Sequence, residues 1–317
     1  MRGLRVVSPG PLVLVQDLGR PGREHWGVAP SGAFDRAAHA RAQRLVGNDE
    51  SAAGLEVLMG GLECLAEGDL VVAVTGAVCP VEVDGRPEGV EVALYVRAGA
   101  LLMLRTALAG LRAYVAVRGG LAVPAVLGSR SRDVGGGIGP PVLAAGDVLP
   151  VGEDVLGQPR YEPAAVGVPA WRGAGDQARV LGREVPDVVV DLVPGPHDDL
   201  LDGTGWRALE SAAWTVGERS DRMGVRLGAR SGRQRAWPAR GMTGGLPSFP
   251  VVVGSVQLTP SGELVVLGPD AGVTGGYPVV GVVRQEGLDA LAQCRPGALV
   301  RIRRRTRRSP GRGRGSV

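Results

Sequence analysis

Polar and charged side chains gather in four short stretches of an otherwise Val-, Leu- and Gly-rich chain of 317 residues. The first, VQDLGRPGREHWGVAPSGAFD (15–35), sets Gln16, Asp17, Arg20, Ser31 and Asp35 among glycines and prolines. Rigid turns that carry polar groups are a common way to build a binding surface. The second, LGSRSRDVGGGIGPP (127–141), places Ser129, Arg130, Ser131 and Arg132 ahead of three glycines. Its guanidinium groups and backbone amides suit a carboxylate or phosphate, although a plain flexible loop has the same composition. The third, SDRMGVRL (220–227), offers Ser220 and the carboxylate of Asp221 beside Arg222 and Arg226. The fourth, GPDAGVTGGYP (268–278), carries Asp270, Thr274 and Tyr277 around two glycines at a strand end.

Several other chemistries lack their residues. The chain has no lysine, which excludes a P-loop lysine, a Schiff base and a lysine bearing biotin or lipoate. A Gly-x-Ser-x-Gly elbow is absent. His25, His39 and His197 have no metal-ligand spacing, so no metal is expected. Cys64, Cys79 and Cys294 are odd in number without CxxC spacing, the pattern of reduced, buried thiols in a cytoplasmic protein.

The elements that must position these stretches are mostly strands. Gly is present 52 times and Pro 24 times, and aromatics make up 3%, which implies many short strands with Val and Leu cores. Runs such as GPLVLVQD, DLVVAVTGA, ALLMLR and RAYVAVRGG are bounded by Gly, Pro or Asp. A Gly turn followed by an apolar run recurs in EGDLVVAV, AGALLML, AGDVLPV and PGALVRI, the signature of a hairpin-built sheet or barrel. A helix is expected over 34–46, capped by Ser31 and ended by Gly47 and Asn48; further helices cover GTGWRALESA and EGLDALAQC. Asn48 is the one asparagine of the chain; it serves either as a helix stop or through a specific amide contact. WGVAPSGAFDR and WTVGERSDR hint at duplication.

The chain divides on these grounds into an N-terminal half (1–155), a Gly- and Pro-rich linker (156–178), a C-terminal half (179–302) and an Arg-rich, disordered tail (303–317). Residues 301–317 hold eight arginines and no acid; with +4 overall, the rest carries −4. Such a tail solubilises the chain or touches RNA or acidic surfaces.

Taken in order, VQDLGRPG, GVAPSGAFDRAAHARAQRLVGN, LEVLMGGLECLAEGDLVVAVTGA, LRAYVAVRGGLAVPAVLGSRS, SDRMGVRL, GSVQLTP and VTGGYPVVGVV resemble the biotin-dependent carboxyltransferase family over about residues 4–302. That family includes the C component of 5-oxoprolinase, the Kip antagonist and the second subunit of allophanate hydrolase. The resemblance implies a mainly β protein with two cyclophilin-like barrels and a few short helices. It also implies a heteromeric complex with 5-oxoprolinase subunits B and A that opens 5-oxo-L-proline to L-glutamate, with ATP and Mg used by the complex. An alternative is a carboxyltransferase acting on urea or a similar amide, with biotin carried by a partner. A third is a regulatory protein that binds the B component.

Phosphorylating the lactam oxygen would need guanidinium groups for anions, for which Arg20, Arg130, Arg222 and Arg226 are candidates. A carboxylate must orient water, for which Asp17, Asp35, Asp221 and Asp270 are candidates. Gln16, Asn48, Ser129, Ser220, Gln257, Thr274 and Tyr277 join the implied substrate or phosphate contacts. Departures from the family are Gln43 in place of an asparagine, Arg132 in place of a threonine, Phe249 in place of an acid and Ala271 in place of a histidine. The survival of Asn48 beside an altered position 43 favours a specific amide contact.

Overall fold

The computed structural model describes residues 2–160, 162, 188–230 and 246–305. Most of the expected linker and the tail beyond Arg305 lie outside these residues. Its fold is mainly β, as expected, and each long apolar run read above as a strand becomes one.

The first half is made of two antiparallel sheets. One has six strands, in the order Val148–Pro150, Gly3–Ser8, Glu63–Glu67, Leu101–Leu104, Val81–Val83 and Arg86–Glu88. The other has five, in the order Leu12–Gln16, Gly54–Leu58, Ala109–Val117, Leu70–Val78 and Ala93–Val96. Val13, Val15, Leu55, Val57, Val72 and Val115 of the second sheet meet Leu4, Val6, Leu102 and Leu104 of the first in one core of aliphatic side chains. The second half closes into a seven-stranded barrel: Val188–Pro194, Val279–Val283, Ser255–Leu258, Leu264–Leu267, Gly224–Ala229, Trp214–Val216 and Leu299–Arg304, which pairs in parallel with the first strand. The turn glycines of the repeated motif, Gly68, Gly99, Gly146 and Gly297, all have positive φ, which a side chain would oppose.

Three α-helices are described: α1 (Arg36–Leu45), α2 (Gly203–Ser211) and α3 (Gln285–Ala292). The cap of α1 differs from the sequence expectation. Asp35, not Ser31, accepts a hydrogen bond from the Ala38 N–H at 2.9 Å, as a short acidic side chain does at an N-cap. Ser31 lies in the left-handed region at φ 55 and turns its hydroxyl toward Asp270. Gly47, at φ 77, ends the helix. Asn48 is therefore spared the stop role. Its amide donates to Gln43 Oε1 and Val117 O, both at 2.8 Å, and its oxygen accepts from the Gly119 N–H at 2.8 Å. It ties the end of α1 to the strand Ala109–Val117, and Gln43 is one of its partners.

The two tryptophan stretches do not correspond structurally. Trp26 is 58% exposed on a short turn, whereas Trp214 is buried in a barrel strand. All three cysteines are buried, and burial pushes the Cys64 thiol up to about 12 and the Cys79 thiol up to about 11. Among the described residues no helix is long and apolar enough to cross a membrane.

The halves are stitched together. Phe34, from the first half, belongs to the barrel core. Arg295 donates to the carbonyls of Gly110 (2.7 Å) and Ala107 (2.6 Å), and Gln293 Oε1 accepts from the Leu111 and Arg112 N–H groups at 3.0 Å.

Replacing Asn48 with Gly keeps the backbone free to turn but removes three buried hydrogen bonds. The expected cost is about 1–3 kcal/mol, read by urea denaturation. A change within about 0.5 kcal/mol, the range of an ordinary surface substitution, would contradict the amide role.

Candidate functional site at the junction of the two halves

The four polar stretches do come together, and they do so where the halves meet. At the centre is Arg222. Its Nη1 donates to Glu56 Oε1 at 2.7 Å, its Nε to Asp270 Oδ2 at 2.8 Å, and its Nη2 to Asp270 Oδ1 at 2.9 Å and to the Gly32 carbonyl at 2.7 Å. All three side chains are at most 5% exposed. Four of its five N–H donors are thus spent inside the protein. Burial alone would lower the guanidinium pKa, but the two carboxylates outweigh it and raise it. Burial likewise opposes ionised Glu56, yet Arg222, Arg112 and the Phe34 N–H hold its pKa below the usual value.

Around this centre runs a continuous set of buried hydrogen bonds. Glu56 Oε2 accepts from the Tyr114 hydroxyl (2.9 Å) and the Phe34 N–H (3.0 Å). The Tyr114 oxygen accepts from the Asp35 N–H at 2.8 Å. Asp35 Oδ2 accepts from Gln293 Nε2 at 2.7 Å. Burial, followed by the charge of Asp289, raises the Asp35 carboxyl to about 7, and its hydrogen bonds from Gln293 and Ala38 only partly offset this. On the other side, Asp270 Oδ1 accepts from the Ser31 hydroxyl at 2.8 Å, and Oδ2 from the Val134 N–H at 3.1 Å.

Asp17 has its own cage. It accepts from the Gly19 N–H (2.7 Å), the Ser129 and Ser131 hydroxyls (2.6 and 2.5 Å) and the Arg130 N–H (2.6 Å). Gln16 donates to the Arg132 carbonyl at 2.8 Å, and buried Arg20 donates to the Ser131 carbonyl. The GSRSR loop therefore wraps the VQDLGR turn. Glycine is required where the VQDLGR and PSGAFD turns meet: a Cβ on Gly19 would sit 2.6 Å from the Ser31 carbonyl, and one on Gly32 2.8 Å from the backbone of Leu18 and Gly19.

Other sequence-expected residues stand apart. Asn48 is at the far end of α1, about 15 Å along the helix axis from Asp35. Asp221 is exposed and accepts from the Met223 and Gly224 N–H groups, and the Ser220 hydroxyl accepts from the Arg226 N–H at 3.0 Å. Gln257 is buried beside Gly275, while Thr274 and Tyr277 are exposed. Arg132 donates to the Gly137 carbonyl, and Phe249 packs its ring 4.8 Å from that of His197. Sequence reasoning missed Glu56, Tyr114, Arg112 and Gln293. Glu56 had a signal: it is a lone acid inside the apolar strand GLEVL.

A cavity of about 640 Å³ opens beside the junction. It runs from the turn of Glu24 and His25, past Arg36 and Gln285, over Val251, Val273 and Leu288. Thr274 and Ala271 also border it. Among the described residues no group of three or more His, Cys, Asp or Glu side chains could hold a metal ion.

Two outcomes follow from the junction. Arg222→Leu leaves Glu56 and Asp270 buried without their cation and should cost about 3–5 kcal/mol in urea denaturation. Asp221→Ala, which loses only exposed turn contacts, should cost about 1 kcal/mol or less. Equal costs would contradict the assignment. For Asp35, the folded-state carboxyl binds its proton more tightly than the unfolded one. Its contribution is complete below about pH 4 and is lost as the pH rises to about 7, by up to roughly 4 kcal/mol. Asp35→Asn keeps the cap and should flatten this decline; an unchanged slope in stability between pH 4 and 7 would contradict it.

Comparison with known proteins identifies the family of the chain. Residues 26–304 match the family model described as carboxyltransferase domain, subdomain A and B. The C component of 5-oxoprolinase from Escherichia coli (strain K12) is 33% identical over 293 residues, which is 92% of this chain and 87% of that protein. The urea amidolyase of Lachancea kluyveri is 31% identical over 92% of this chain but only 16% of its own length. The solved structure of the Kluyveromyces lactis urea carboxylase superposes with a TM-score of 0.81 at 28% identity, covering 95% of this chain and 27% of that one. The chain thus spans most of the bacterial protein and a small share of the yeast ones. A match that runs through both halves and the junction between them shows that the chain belongs to the carboxyltransferase domain family, subdomains A and B.

Proposed function

We propose that the chain is the C component of an ATP-dependent 5-oxoprolinase, working in a complex with subunits B and A. The observation that carries this reading is the likeness to the bacterial C component over nearly the full length of both proteins. ATP, with Mg, is assigned to the complex: the chain has no lysine to cradle its phosphates. Transfer of the γ-phosphoryl group to the lactam oxygen would give ADP and an activated ring carbon. Water adds to that carbon; the C–N bond then opens, the ring nitrogen takes up a proton, and an acyl phosphate remains. A second water hydrolyses it to phosphate and L-glutamate.

Within this reading the expected residues divide by accessibility. Asp17, Asp35, Asp270, Gln16, Arg20, Ser129, Arg222 and Gln257 act as positioning residues, because they are buried in the junction and its surroundings. Asp221, Ser220, Arg226, Arg130, Thr274 and Tyr277 have some exposure to solvent and remain the candidates for contact with substrate or phosphate. Asn48 supports α1 from its far end.

Two observations favour other readings. The likeness to urea amidolyase supports a carboxyltransferase acting on urea or a similar amide, with biotin on a partner. The packing of Phe249 on His197, where an acid was expected, supports a regulatory role toward the B component.

The chain should be co-purified with its B and A partners and assayed for glutamate released from 5-oxo-L-proline with ATP. Turnover should require this chain and should fall at least about tenfold in Asp221→Ala with the complex intact, the scale of losing a proton-transfer or orienting group. Turnover by B and A alone at the full rate would remove the reading.

A further inference from the structure

Of the substrate-contact candidates in that reading only Thr274 borders the cavity beside the junction, so most of the cavity is unassigned. At about 640 Å³ it falls in the range that accommodates a drug-sized ligand, and an amino-acid-sized lactam would leave most of it empty. We propose that it binds a second ligand class, a small carboxylate on an extended apolar stem, with its head on Arg36 and its stem over Val251, Val273 and Val283.

The cavity is polar at one end and apolar along its length. Arg36 and Gln285 stand together, linked through Asp289: the Asp289 carboxylate accepts from the Arg36 backbone N–H at 2.9 Å and from Gln285 Nε2 at 2.8 Å. Asp289 Oδ1 is thereby occupied by an amide and a backbone group, and the guanidinium acts on this carboxylate through its charge without a hydrogen bond among the described residues. Among the described residues the Arg36 guanidinium makes one hydrogen bond, at 3.4 Å to the Leu18 carbonyl, and no ion pair within 4.0 Å. Its fork is open to a carboxylate, which it can hold bidentately. Helix α3 starts at the same end, and its N-cap residue Arg284 provides no side-chain cap, so the positive end of the helix adds to the charge there, with the exposed Glu286 in its first turn as a counterweight. Glu24 is the one acid among the described lining residues, against Arg36 and His25. The remaining lining is chiefly valine, proline and leucine, which rewards an apolar stem and gives a charged one nothing to pair with.

The test needs neither the other components nor ATP, so its outcome is separate from that of the 5-oxoprolinase assay. The full chain is titrated by isothermal calorimetry with octanoate, hexanoate and 1-octanol. Octanoate should bind saturably with a one-to-one stoichiometry. Hexanoate should bind more weakly, by up to about fourfold for each methylene lost. The alcohol should bind at least about tenfold more weakly than the acid, the scale of losing one charge-assisted contact. Arg36→Gln should erase the preference for acid over alcohol, and Val252→Asp, on the exposed lip, should weaken octanoate about tenfold. Thermal denaturation of each variant confirms folding. Absence of saturable octanoate binding, equal affinity for octanoate and 1-octanol in the wild type, or undiminished octanoate binding by folded Arg36→Gln would each overturn the proposal.

Discussion

A guanidinium buried between two carboxylates governs the geometry of this protein. Arg222 comes from the barrel half, Glu56 from the first half, and Asp270 from the loop that follows a barrel strand. None of the three would tolerate burial alone, because an unpaired ion in a low-dielectric interior costs several kcal/mol. The halves must therefore meet in one register, with Phe34 inserted into the barrel core and Arg112 stacked over its ring at 4.7 Å. Such a cluster adds less to stability than its short distances suggest, since desolvation consumes much of the Coulomb gain. Its effect is on specificity of arrangement: shifted packings leave a charge without a partner.

This constraint explains how loops, which ordinarily move, are held still. The VQDLGR turn, the PSGAFD turn, the GSRSR loop and the GPDAG loop each donate to or accept from a neighbour in the same buried set. Most of their polar atoms are spent on one another, with Gln16 Oε1, Arg20 Nη1 and Arg132 Nε left buried without a hydrogen-bond partner among the described residues, and what remains accessible is the cavity alongside and the exposed groups at its edges. The motifs build the frame, and the open chemistry lies next to them. That division underlies the proposed split between buried positioning residues and exposed candidates for ligand contact.

Much of the fold was legible in the chain because strand formation here is local. Alternating Val and Leu bounded by Gly fixes strands such as Leu12–Gln16 and Leu70–Val78 without reference to the rest of the molecule. The order of the four polar stretches along the chain pointed to the family, but their convergence was not legible, because it depends on how the two halves meet. Their roles were legible only in part. Asp35 and Ser31 are four residues apart and both can cap a helix; the choice fell to Asp35 because Ser31 is drawn to Asp270, which lies 239 residues away. Glu56, Tyr114, Arg112 and Gln293 were missed for the same reason, since each matters through a partner distant in sequence. The cavity was not legible as a cavity, although Pro21, Glu24, His25 and Pro30 come from the first polar stretch and Ala271, Gly272, Val273 and Thr274 from the fourth, because its apolar walls serve equally well in a core.

The central claim is that two cores, joined through one buried charge cluster, behave as a single folding unit. Differential scanning calorimetry of the full chain at neutral pH tests this directly. The account predicts one transition, with the calorimetric and van't Hoff enthalpies in agreement. Two separable transitions, one for the paired sheets and one for the barrel, would contradict it and reduce the Glu56–Arg222–Asp270 cluster to an incidental contact between independent halves.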